Sequence, residues 1–119
     1  MSFRSPADHF HDILHAIALI HEFIGTSTFE VYRHDLKTKS SVERQFQILS
    51  EAAYRLGAEA ETLCPGPDWV GLRGIGNVLR HAYHRTDDDA IWKAVTIELP
   101  PLKEAVAKAL AAHFPSTNS

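Results

Sequence analysis

The sequence predicts an all-α protein, an up-and-down bundle of four to five helices forming one domain over residues 1–119, on three observations. Apolar residues recur every three or four positions through most of the chain, the period of one buried helix face. Capping residues, glycines and prolines stand where those stripes begin and end. No alternating run of apolar and polar residues is long enough to make a strand.

The first helix is announced by Ser5, Pro6 and Asp8: a side-chain cap, a residue suited to the first turn, and an acid facing the positive helix end. Phe10, Ile13, Ile17, Ile20 and Ile24 make its inward stripe, and Gly25 stops it. A short helix over Thr28 to His34 follows. The longest periodic segment is Val42, Phe46, Leu49, Ala53, Leu56, Ala60 and Leu63, spaced as one continuous packing seam. Cys64-Pro65-Gly66-Pro67 ends it, because proline lacks a donor and biases its predecessor away from helix. Asp68 caps a helix from Trp69 to about Tyr83, which carries Gly71, Gly74 and Gly76, each costing about 1 kcal/mol relative to alanine. Thr86-Asp87-Asp88-Asp89 opens the last section, with Ile91, Val95 and Leu99 inward. Pro100-Pro101 bends or restarts that helix, Leu102, Val106 and Leu110 continue the stripe, and residues 115–119 form a frayed tail.

Composition narrows the function. At 45% apolar residues the chain can bury a core without disulfides or metal, and its one cysteine, Cys64, has no partner for an internal bridge. Nothing resembles an export signal or a membrane span, so the expected location is the cytoplasm, with no membrane association. A net charge of -3 argues against broad nucleic-acid binding, which needs a dense basic surface. Any RNA contact is therefore local.

Arg73 to Arg85 is the local exception, gathering three arginines and two other basic-capable side chains, His81 and His84, in an otherwise acidic chain. That chemistry suits a phosphodiester: arginine offers a planar fork to phosphate oxygens, and histidine exchanges protons near neutral pH. Helical spacing puts Asn77, His81 and Arg85 on one face. Arg44 and Arg55 could line an RNA path if their side of the long helix lies open, and Glu51 pairs with Arg55 along it. Trp69 and Trp92 read as core anchors.

The stretch Trp69 to Tyr83, followed by Asp87 to Leu102 with Ile91-Trp92, Val95-Thr96 and Leu99-Pro100, resembles the HepT-like branch of the HEPN superfamily. That family has the tryptophan, an Arg-Asn pair, a His-any-Tyr triplet, then Trp, Val-Thr and Leu-Pro in the same order. Val42-Glu43-Arg44 leading to Ile48, Glu51 and Ala52-Ala53 is similar to the family's long helix. The resemblance implies a HEPN-like bundle that forms a homodimer and acts as a metal-independent endoribonuclease toxin. Its partner would be a small MNT-type nucleotidyltransferase antitoxin.

Carried over residue by residue, His81-Ala82-Tyr83 matches the triplet and Asn77 the asparagine, while Gly76 stands where the motif arginine usually sits. His81 is then the expected acid and base and Asn77 a positioning donor. Arg73, eight residues before His81, is the substitute phosphate clamp; Arg80, the next choice, points about 100° away from His81 on a regular helix. His84 and Arg85 are expected to contact substrate, and Tyr83 is the position adenylylated in the family's pairs. Glycines 71, 74 and 76 would let a second backbone approach in the dimer. The glycine at 76 also defines an alternative, a catalytically inactive HEPN module that binds the nucleotidyltransferase or a nucleotide.

Neither a cofactor nor a metal is expected. His11 and His15 stand four apart, but no further ligands accompany them in sequence. Gly74-Ile75-Gly76 lacks the preceding strand and the Gly-Lys-Ser/Thr ending of a phosphate loop.

Overall fold

The computed structural model describes residues 4–81 and 88–115. Described residues form helix α1 (Pro6–Ile24), α2 (Phe29–His34), α3 (Leu36–Leu56), α4 (Ala58–Leu63), α5 (Trp69–His81), α6 (Asp88–Lys93) and α7 (Leu99–His113). A π-helical segment, Ala94–Glu98, joins α6 to α7 without a break, so the bundle has four long rods and two short helices among these residues.

Four of the starts have a side-chain reason. Ser5 Oγ accepts from Asp8 N while the Asp8 carboxylate accepts from Ser5 N, a reciprocal capping box. Thr28 caps α2 through Val31 N, and Asp35 caps α3 through Thr38 N at 3.1 Å and its hydroxyl at 2.7 Å. Asp68 Oδ1 accepts from Gly71 N at 3.0 Å. A Cβ on Gly71 would run into that same carboxylate, which gives this glycine a reason inside the chain.

The expected single helix over the seam to Leu63 is interrupted. Gly57 takes φ 57°, a left-handed conformation that glycine adopts without strain, and α4 leaves in a new direction. The apolar spacing hides the break because Ala60 still returns to the core. The prolines act one turn earlier than expected from position alone. Pro100 and Pro101 have no N–H to give, and the preceding turn widens so that Leu99 N bonds Ala94 O.

Helix α3 packs between α1 and α5, and α1 also packs on α7. Phe10, Ile13, Ile17 and Ile20 meet Val42, Phe46, Leu49, Trp69, Leu99 and Val106 in a core whose members are almost wholly buried. Trp69 anchors it, edge-on to Phe10 with centroids 6.2 Å apart, its indole N–H donating to Cys64 O at 2.8 Å. Trp92 packs against Phe29 and Tyr32. Burial pushes the Cys64 thiol up, as fits a packing residue. Among the described residues no helix is long and apolar enough to cross a membrane.

Candidate nuclease helix

The described part of the cationic segment, Arg73 to His81, sits on α5, which lies antiparallel to α3 and is held by two contacts. Ser50, buried in α3, donates through its hydroxyl to Arg73 O at 2.9 Å and accepts from Gly76 N at 3.1 Å. Gly76, the residue at the motif-arginine position, is therefore buried against α3, with its N–H held by a serine.

Arg73 is the second contact. Its Nε donates to Ala53 O at 3.2 Å and one Nη to Gly57 O at 2.8 Å, while the fork meets Glu61 at 2.7 and 2.9 Å. Ala53 O also accepts from Gly57 N at 3.3 Å and Gly57 O from Ala60 N at 3.0 Å, so the guanidinium gives each carbonyl a second donor and brings a charge that suits the negative helix end. The Arg73 guanidinium holds the Glu61 carboxyl below its usual range, and Glu61 raises Arg73 in return. So Arg73 ties α5 to the α3–α4 junction.

The register places the rest. Ser50 bridges the level between Arg73 and Gly76, and His81 ends α5 about 10 Å further on at 1.5 Å per residue. Running the opposite way on α3, the same rise reaches Glu43 and Arg44. Asn77, Arg80 and His81 thus occupy the last turns of α5; their side chains, and Tyr83, His84 and Arg85 as whole residues, lie outside what the structure describes.

A polar cluster that sequence reading missed stands near this end. Lys39 Nζ meets Asp88 Oδ2 at 3.0 Å with both side chains mostly buried. Among the described residues, Tyr32 Oη and Asp88 Oδ1 are buried with no hydrogen-bond partner. Burial first, then the Glu43 and Asp88 carboxylates, push the Tyr32 phenol up. Lys39, Glu43 and Ser50 interrupt an apolar stripe at helical spacing, the one signal that could have marked the α5-facing side of α3. His11 and His15 are exposed on α1, and among the described residues no three His, Cys, Asp or Glu side chains gather as metal ligands.

A helical bundle carrying a short basic helix against α3 defines a class, small all-α proteins with a local cationic segment. The family model for HepT-like ribonucleases matches residues 13–109, and the chain belongs to that family. It is similar to a protein of Thermococcus cleftensis named "Probable ribonuclease HepT", 35% identical over 100 residues, 84% of this chain and 91% of that one. It is also similar to a Methanocaldococcus jannaschii protein named "Putative RNase MJ1380", 26% identical over 106 residues, 89% of this chain and 97% of that one. No solved structure matches the chain significantly.

Proposed function

We propose that the protein is a metal-independent endoribonuclease, the toxin of a HEPN/MNT-type toxin–antitoxin pair acting in the cytoplasm as a homodimer. The observation that carries this reading is the family match over residues 13–109, together with α5 ending at His81, the first residue of the His81-Ala82-Tyr83 triplet in the sequence. Cleavage through the ribose needs a base to take the 2′-hydroxyl proton and an acid to protonate the leaving 5′-oxygen. The 2′-oxygen bonds to phosphorus as the bond to the 5′-oxygen breaks, leaving a 2′,3′-cyclic phosphate. Two copies of His81 facing one cleft would supply both proton transfers. Asn77 would position the phosphate, and Arg80, His84 and Arg85 are the nearby side chains suited to its charge.

Arg73 keeps the role of phosphate clamp only by exchanging Glu61 for substrate, since four of its hydrogen bonds already go to Ala53, Gly57 and Glu61. That commitment, with Gly76 at the motif-arginine position, favours a second reading: an inactive module that binds a nucleotidyltransferase of the MNT type. In either reading Tyr83 is the residue such a partner would adenylylate, placing negative charge two residues from His81.

Induced expression in bacteria separates the two. Wild type should arrest growth where His81→Ala at equal protein level does not; equal growth of both supports the inactive module. Mass spectrometry of chain co-expressed with the neighbouring nucleotidyltransferase tests Tyr83, with an unmodified tyrosine removing that role.

A further inference from the structure

The side of α3 turned away from the core has no part in the reading above. Helix α3 carries Lys37, Lys39, Arg44 and Arg55 against Glu43 and Glu51, a net positive rod in a chain of net charge -3. Lys37 and Arg44 are exposed and in no close ion pair among the described residues, Lys37 standing near Asp35 and Arg44 reaching Gln47. Tyr54, about 80–100° round α3 from Arg44 and Lys37 on the flank toward α5, is 75% exposed. It does not stand on a flat surface: Ser50, Glu51, Tyr54, Arg55 and Arg73 line a groove of about 330 Å³ between α3 and α5. Arg55 holds Glu51 at 2.8 Å, so the acid in that groove is paired.

We propose that this groove and the basic side of α3 bind single-stranded RNA, with one base stacked on the Tyr54 ring and the backbone tracked by Arg44 and Lys37. Stacking platforms flanked by arginines take bases of any sequence, and only an unpaired strand offers a base face to them. Position supports the assignment. Tyr54 to Arg44 spans about 15 Å of helix, and Arg44 is level with the end of α5, so a strand seated on Tyr54 runs toward His81. The inference rests on the ribonuclease reading for its substrate, and binding to uncleavable RNA tests it separately.

The experiment measures anisotropy of a fluorescein-labelled 2′-O-methyl RNA ten-mer, and cleavage of the unmodified ten-mer, on the full chain. Tyr54→Ala should weaken binding about tenfold or more, and Tyr54→Phe should bind as wild type. The KM of Tyr54→Ala should rise with kcat unchanged. Arg44→Ala and Lys37→Ala should each reduce the slope of log affinity against log salt by about 0.7. Because all three side chains are exposed, circular dichroism should not change. Equal affinity and KM for Tyr54→Ala and wild type would overturn the proposal, as would loss of a protein partner with RNA binding intact. Wild type that binds the methylated RNA but cleaves nothing would strike the ribonuclease reading and leave the groove standing.

Discussion

Arg73 and Glu61 form a two-pronged ion pair, 2.7 and 2.9 Å, that joins the nuclease helix to the short helix after the Gly57 break. The same guanidinium closes the end of α3 through Ala53 O and Gly57 O. Arg73→Ala should therefore lower the melting temperature more than Glu61→Ala does, since it removes one hydrogen bond to each of two carbonyls as well as the ion pair. Calorimetry of both variants checks this. Loss of RNA cleavage in Arg73→Ala with unchanged melting would instead make Arg73 a phosphate clamp.

The pair also sets a pH dependence. Glu61 has its folded-state pKa lowered, so its contribution is present above the ordinary glutamate pKa of about 4.3 and is lost as pH falls through the lower folded value. The stability difference between wild type and Glu61→Gln should be constant from neutral pH to about 5 and shrink below it. A difference that grows on acidification, followed by urea unfolding, would contradict the sign.

Ser50 has no slack. Replacing it with alanine removes its two hydrogen bonds to Gly76 N–H and Arg73 C=O across a buried contact, with an expected cost of about 1–3 kcal/mol in urea unfolding. A cost within a few tenths would mean that α5 satisfies those groups by itself.

Gly74 separates folding from assembly. A Cβ there meets nothing within 4 Å in the monomer, so Gly74→Ala should gain about 1 kcal/mol of helix stability. Gly74→Leu should keep the helical content and weaken association if the second protomer packs on α5. Sedimentation of a stable Gly74→Leu dimer would move the interface elsewhere.

Helix starts were legible because Ser5, Thr28 and Asp68 cap them by local bonds that spacing alone encodes. The Gly57 break was not, since Leu56, Ala60 and Leu63 keep the three-and-four spacing across it. Arg73's partner was hidden for the same reason: Glu61 comes within reach only because α4 turns at that glycine. Ser50 reads as a small residue in a stripe, and only packing reveals that its hydroxyl meets the backbone of α5. His81 and Asn77 were singled out from residue type and family pattern, which need no long-range contact.

Cleavage of a defined single-stranded RNA by wild type and His81→Ala, in EDTA, tests the central claim most directly. The account predicts that wild type cuts with chelator present and leaves a 2′,3′-cyclic phosphate, and that His81→Ala is slower by at least about a hundredfold, the low end of a general acid–base contribution. Equal rates for the two proteins, or activity abolished by EDTA and restored by a divalent metal, would contradict it.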